Sequence, residues 1–173
     1  MKYTSSEANK ILKELEARIE ELKNREGKSS SFNAASTEDP EILRPAYDFD
    51  DVQKKLDALE HDVRTVKHAI NVFNVTHNLH GYDDLTIDQA LIYLPQLSAK
   101  VKKLKHMASA LPRERVTETY YRNSSIIDYV IANYDIAAAG RAYHEEQEKL
   151  MNIQLALNAA NAGEKMEFEI SSI

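Results

Sequence analysis

The sequence contains no cysteine, and its 173 residues include four glycines and four prolines. Without cysteine the chain has no disulfide framework, no thiolate nucleophile and no cysteine-ligated zinc site. So few turn-forming residues leave little turn chemistry for an all-β fold. The composition therefore favours a helical chain, and its length suits one domain covering residues 1–173.

Long apolar runs are also missing. No run approaches the roughly 20 residues that a membrane-spanning helix needs, and no apolar segment follows Met1 as it would in a secretory signal. We therefore expect a cytoplasmic protein without a membrane partner. Acidic residues number 28 against 22 basic ones, for a net charge of -6. Nucleic-acid binders need an excess of Lys and Arg on one face, so nucleic acid is not an expected partner.

Motifs of known enzyme classes are absent as well. The sequence has no Gly-rich phosphate loop, no nucleophile elbow and no His-Glu-x-x-His zinc motif. We therefore predict no catalytic residues, and an enzyme is the less favoured class of function.

The first predicted helix begins at a capping box, Thr4-x-x-Glu7, and extends to about Arg25. Behind the box, apolar residues recur at the spacing of one helical face. They are Ala8, Ile11, Leu12, Leu15, Ile19 and Leu22. Gly27, Pro40 and Pro45 break the pattern, so residues 26–47 are predicted to form a long connection. Such a connection is either mobile or carries the first helix to another part of the assembly.

The second predicted helix, over about residues 50–78, has the most regular pattern in the chain. Asp48 or Asp50 is placed to cap it, and its apolar residues step by four and three as in a coiled coil. They are Val52, Leu56, Leu59, Val63, Val66, Ile70 and Phe73, and His77 follows at the next step. A helix of roughly 40 Å needs a partner of similar length.

A third helix is predicted to follow the capping box Thr86-x-x-Gln89 and to return antiparallel to the second, ending before Pro112. Pro95 predicts either a kink or a delayed start near Leu94. These two helices would form a long hairpin.

The C-terminal third mixes strand and helix signals. Residues 116–121 are β-branched and aromatic and are predicted to pair with residues 126–134, although an early start of the last helix is the alternative. Asp135 would cap a fourth helix ending near Gly163, and residues 166–170 alternate like a strand. The expected fold is mainly α: an elongated antiparallel helical bundle with a small β element near residues 116–134 and 166–170.

Three asparagines lie at spacings of three and four: Asn71, Asn74 and Asn78. They would place amides beside the apolar stripe of the second helix. Buried amides at a helix seam fix register, and the alternative is that they bind a small polar ligand or a partner's backbone.

A candidate metal site lies where the second helix turns into the third. His77, His80 and Asp84 supply imidazole and carboxylate groups, which zinc, manganese or iron accept. Asp84 is also an ordinary residue to find near a helix N-terminus. A divalent metal is thus one candidate ligand, and we predict no other cofactor.

Two charged stretches are predicted to be solvated helix faces. The basic one runs from Lys100 to Arg115, and its alternative role is to bind an anion or an acidic protein. The other is the segment 144–148, which begins with His144-Glu145-Glu146. Its His and Glu residues have no matching Glu-x-x-His pair elsewhere, so a di-metal site is not predicted.

The order of these features resembles a family of small bacterial helical proteins labelled septicolysin-like. The resemblance is carried by Ile70-Asn71-Val72-Phe73-Asn74 at the end of a long helix, by Leu85-Thr86 at the start of the next, and by Thr117-Glu118 in a strand. It covers most of the chain and implies a fold rather than an activity, because the function of that family is uncharacterised.

The leading functional hypothesis is a non-enzymatic interaction or scaffold protein that self-associates, most simply as a twofold dimer. Four apolar stripes can close one core, but the long connection after the first helix and the elongated hairpin leave part of the seam for a second subunit. A different protein is the other class of partner. The alternative is a metal- or ligand-binding protein, or an enzyme, with its site at the turn between the second and third helices.

Overall fold

The computed structural model describes residues 1–116 and 127–171. Within these ranges the chain forms five helices and four short strands. In chain order they are β1 (Lys2–Thr4), α1 (Ser5–Ser29), α2 (Pro40–Leu43), α3 (Phe49–Thr76), α4 (Ile87–Ala108), β2 (Arg113–Arg115), β3 (Tyr129–Ile131), α5 (Ile136–Gly163) and β4 (Lys165–Glu167). The prediction of a mainly helical chain with a small β element is confirmed.

The chain divides into two compact units. The first contains residues 1–77 and the residues from Ala159 onward, and the second contains residues from Asn78 to Asn158. The helix α5 begins in the second unit, and its last residues belong to the first. The sequence predicts a single domain, and that the two units unfold together stays a prediction.

The start of α1 is as predicted, but its end is not. The Thr4 hydroxyl accepts from the Glu7 N–H at 3.2 Å, and the Glu7 carboxylate accepts from the Thr4 N–H at 2.8 Å, which completes the capping box. The helix then passes Arg25 and Gly27 and ends at Ser29. A single glycine costs a helix only about 1 kcal/mol.

The end of α1 is fixed through Glu26, which was assigned to the connection. Its Oε1 accepts hydrogen bonds from the Tyr47 hydroxyl at 2.7 Å and from Gln53 Nε2 at 2.8 Å. The bond to this carboxylate raises the pKa of Tyr47 above its ordinary value. The predicted connection therefore begins after Ser29, contains the single turn α2, and is fastened to α1 at Tyr47.

The partner of α3 in the first unit is α1. Asp48 caps α3, one of the two predicted candidates. Two exposed ion pairs, Lys23–Glu60 at 3.0 Å and Lys67–Glu16 at 2.8 Å, show that the helices run antiparallel. The buried apolar side chains of the two helices come from the predicted stripes: Ala8, Leu15, Leu56, Leu59, Val66 and Phe73.

A strand that the sequence analysis missed completes the first unit. β1 pairs antiparallel with β4, with Tyr3 opposite Met166. The pairing continues past β4, since Phe168 N–H donates to the Met1 carbonyl at 3.3 Å. The predicted strand over 166–170 therefore lies at 165–167, and it joins the N-terminus rather than the segment 116–134.

In the second unit, α4 begins at Ile87 behind the predicted capping box of Thr86 and Gln89. The delayed start near Leu94 is wrong, because the box fixes the first turn before Pro95 is reached. The helix passes through Pro95 and ends at Ala108, before Pro112. Asp135 caps α5 as predicted, since its Oδ1 accepts from the N–H groups of Ala137 and Ala138 at 2.8 and 3.1 Å.

The remaining sheet is a two-stranded ribbon of β2 and β3, in which Glu114 lies opposite Val130. The strand β2 precedes the strand predicted over residues 116–121, because β2 ends at Arg115. Residues 117–126, where that prediction continues, lie outside the described residues. Instead of one small sheet, the described residues form two separate ones.

Candidate functional site

The three asparagines, which were predicted to fix the register of a helix seam or, as the alternative, to bind a ligand, are placed differently from one another. Asn71 is exposed and Asn74 half-buried on α3, whereas Asn78 is exposed beyond the end of that helix. Asn78 has a structural task, since its Nδ2 donates to the Asp83 carbonyl at 2.6 Å and its backbone bridges to Thr86. Its amide closes the turn before α4, and ligand binding by the three residues stays a prediction.

His77 is the C-terminal cap of α3, and its ring stacks on Phe73 with the ring centroids 4.2 Å apart. Its Nδ1 lies 2.9 Å from the Phe73 carbonyl oxygen, and because a carbonyl only accepts, Nδ1 carries a proton there. Nε2 is then left as the nitrogen able to bind a ligand. The other predicted metal ligands, His80 and Asp84, are exposed in the turn of the second unit.

Across residues 1–116 and 127–171, no group of three or more His, Asp and Glu side chains is arranged to hold a metal ion. Binding of a divalent metal by His77, His80 and Asp84 therefore stays a prediction, and a measurement of bound metal tests it.

A cleft of about 500 Å³ lies beside His77 in the first unit. Its apolar side is formed by Phe73, Met166 and Phe168, which are buried. Its basic groups are His68, His77 and Lys165. Glu167 is the acidic residue of this lining. An apolar wall beside more basic than acidic groups is suited to an anion that carries an apolar tail. The sequence could not indicate this cleft, because β4 reaches α3 from the far end of the chain.

The charged stretches of the second unit contact each other. Lys100 of α4 forms an ion pair with Glu146 of α5, which is half-buried, so this glutamate does not belong to a fully solvated face. One turn along α5, the Lys149 ammonium lies 5.2 Å from the ring centroid of Tyr93. A hydrogen bond with Tyr93 raises the pKa of Lys149 above its ordinary value, which keeps the ammonium charged. These pairs show that α4 and α5 run antiparallel.

In the ribbon of β2 and β3, the strand β3 has three consecutive apolar side chains that are exposed. Tyr129, Val130 and Ile131 are 40%, 62% and 68% exposed. The neighbouring strand β2 consists of Arg113, Glu114 and Arg115, all exposed. The Arg113 guanidinium lies 3.6 Å from the ring centroid of Tyr129, so one face of the ribbon holds a cation–π contact.

The exposed strand β3 is unusual because one face of a sheet strand is normally covered. An apolar strand that is exposed on both faces marks a surface for association with another chain. We therefore take β3 as the candidate interaction site. The sequence analysis located this strand within residues 126–134.

Comparison with known proteins gives a fold and no activity. No family model matches the chain, and no curated protein matches it. Among solved structures the chain is similar to a protein of Corynebacterium diphtheriae described as a functionally unknown conserved protein. The identity is 16% and the TM-score 0.56, over 96% of this chain and 100% of the other. At this identity the likeness shows the fold alone, and the septicolysin-like resemblance stays a prediction.

None of the helices in the described part of the chain is both long and apolar enough to cross a membrane.

Proposed function

We infer that this protein is a helical interaction protein that works by self-association and has no catalytic role. The observation that carries this function is the exposure of Tyr129, Val130 and Ile131 in β3. Monomeric proteins rarely leave a strand of three large apolar residues uncovered, because its backbone and side chains favour association. A second chain would cover both.

Further apolar side chains lie on the helices of the same unit. Leu91 and Ile92 of α4 and Met151 and Leu155 of α5 are all about half exposed or more. Because Tyr93 contacts Lys149, the residues 91–92 lie at the same level of the helix pair as the residues around 151. The unit thus offers apolar groups on its helices as well as on its ribbon, which favours association with a protein surface.

The test is the mass of the protein in solution across a wide range of concentration. We expect a dimer at micromolar concentration that dissociates on dilution, measured by sedimentation velocity or by native mass spectrometry. A monomer at every concentration would overturn the proposed function. A retained adduct in the native spectrum would point to the second candidate below.

The second candidate function is the binding of an amphipathic anion in the cleft beside His77. It is favoured by the placement of His68, His77 and Lys165 around buried aromatic and Met side chains. Octanoate is a suitable probe, because it combines a carboxylate with an apolar tail.

Octanoate should raise the melting temperature of the protein, and the variant combining His68→Ala with Lys165→Ala should lose that shift. The matched control is His61→Ala with Lys54→Ala, which replaces the same two residue types at exposed positions of α3. An equal shift in both variants would contradict binding in the cleft.

A further inference from the structure

The hydrogen bonds of the ribbon determine which backbone groups of β3 point away from β2. Val116 N–H donates to the Asp128 carbonyl at 3.0 Å, and Ala132 N–H donates to the Pro112 carbonyl at 3.2 Å. Bonded and non-bonded pairs alternate along an antiparallel ladder, so Glu114 and Val130 form the bonded pair between these two. The N–H and C=O groups of Tyr129 and Ile131 therefore point outward, along the other edge of β3.

The two edges of the ribbon differ in a way that selects one of them for pairing. Every residue of β2, the strand at the first edge, is charged: Arg113, Glu114 and Arg115. Charged residues on an edge strand oppose the addition of another strand. The outer edge of β3 has Tyr129, Val130 and Ile131, and no charge. Within residues 1–116 and 127–171 no further strand pairs with it.

We propose that β3 pairs antiparallel with β3 of a second copy of this chain, with the twofold axis at Val130. The inference rests on the proposed function, and it names the partner and the register. Tyr129 would lie opposite Ile131 of the partner subunit, and the outward groups of each such pair exchange two hydrogen bonds. The result is a four-stranded sheet with the two β3 strands in its centre and a β2 strand at each edge.

The side chains fit this register on both faces. Aromatic and β-branched residues opposite each other are a favourable cross-strand pair, which Tyr129 and the partner's Ile131 would form twice. On the other face, Val130 would meet the partner's Val130. The charged β2 strands would then lie at both outer edges and stop further growth, so the assembly closes as a dimer instead of extending into a fibre.

The absence of cysteine makes the register directly testable, since Val130→Cys introduces a single thiol. Val130 and the partner's Val130 would be a non-bonded pair with Cα atoms about 4.5 Å apart, which lies within the range for a disulfide. Under mild oxidation we expect this variant to form a covalent dimer in high yield. The matched control is Glu114→Cys, because residue 114 lies in the outer strand, about 14 Å from its counterpart across three strand spacings.

Three outcomes separate the hypotheses. Cross-linking of Val130→Cys and not of Glu114→Cys supports the strand pairing. A wild-type dimer whose two cysteine variants cross-link equally, or not at all, contradicts this register and leaves the proposed function intact. A wild-type monomer at all concentrations contradicts both.

A second variant covers the case in which the cysteine variant fails to fold. Ile131→Pro removes an N–H that points outward, so the bonds between β2 and β3 remain. It should weaken the dimer by at least about tenfold, since each copy loses an intermolecular hydrogen bond. Arg115→Pro is its control, because it removes an outward N–H from the opposite edge. Equal dissociation constants for the two proline variants would overturn the proposal.

Discussion

The two small sheets of this protein are equal in length and opposite in environment. Each consists of two antiparallel strands of three residues. In the first unit, β4 packs against α3, and Met166 and Phe168 are each only 6% exposed. Phe168 also stacks on Tyr3, with the ring centroids 4.7 Å apart. In the ribbon of β2 and β3, all six residues are exposed.

This difference indicates what each sheet needs in order to persist. Two short strands are marginal in water unless their apolar side chains are covered. The helices of the first unit cover β1 and β4 within one chain. The residues 1–116 and 127–171 leave the ribbon exposed, and in our proposal the second copy supplies the missing partner of β3.

The largest effect should come from truncating the covered sheet. Phe168→Ala removes a buried ring and should lower the free energy of unfolding by about 3–5 kcal/mol. The matched change in the exposed ribbon, Ile131→Ala, should cost the monomer no more than about 0.5–1 kcal/mol. Urea denaturation, at a protein concentration below the dissociation constant of the dimer, measures both free energies. Similar losses in the two variants would show that the ribbon is covered within the monomer.

A second difference between the two sheets is that a buried carboxylate forms hydrogen bonds with the chain that follows β4. Asp62 of α3 is 1% exposed, and its oxygens accept from the Ser171 N–H at 3.0 Å and from the Ser171 hydroxyl at 3.2 Å. Asp62→Ala should lower the free energy of unfolding by about 1.5–3 kcal/mol, because a hydrogen bond to a charged group is lost and the Ser171 amide loses its acceptor.

The control for this variant is Asp57→Ala, an exposed aspartate of the same helix that should change stability by less than about 0.5 kcal/mol. Amide hydrogen exchange adds a local readout. The Ser171 amide should lose protection in Asp62→Ala and keep it in Asp57→Ala. Unchanged protection in both would show that the bond to Asp62 does not hold this segment.

The capping boxes allow the two units to be compared through one identical change. Thr4→Ala and Thr86→Ala each remove the hydroxyl that accepts the N–H of the third helical residue. Each should cost about 1 kcal/mol. If residues 1–173 are one cooperative domain, both variants shift the same single unfolding transition. Two transitions, each moved by one variant, would contradict the single domain.

The sequence predicted the features that depend on neighbouring residues. Both capping boxes and the cap of α5 were placed correctly, and the cap of α3 was one of two candidates, because a cap and its helix lie within a few residues. The stripe of α3 was also predicted, since Leu56, Leu59 and Val66 follow the helical period and are buried. The same pattern placed His77 inside the helix, whereas the helix ends at Thr76 and His77 is its C-terminal cap.

Features that depend on distant residues could not be predicted. β1 has three residues, which are too few to show the alternation of a strand, and it becomes a strand because Lys165–Glu167 pairs with it. Asp62 looked like any charged residue of a helix, and its partner Ser171 is 109 positions away. The cleft beside His77 was missed for the same reason, since one wall comes from α3 and the other from β4.

The smallest predicted effect distinguishes the two capping boxes by pH. In α1 the residue that reaches back to the cap is Glu7, whereas in α4 it is the neutral Gln89. The pKa of Glu7 lies below its ordinary value, chiefly because the Thr4 N–H donates to its carboxylate and also because the Thr4 hydroxyl does.

A carboxyl group whose pKa is lowered by folding stabilises the protein above its unfolded pKa, which is about 4.3 for Glu. That contribution is lost as the pH falls through the lower folded pKa. Glu7→Gln should therefore be less stable than wild type near about pH 7, and the difference should disappear as the pH falls through the folded pKa of Glu7. Gln89→Glu should introduce the same dependence in α4. If the difference between wild type and Glu7→Gln does not change with pH, the charge of Glu7 contributes nothing to the cap, and the two boxes are equivalent.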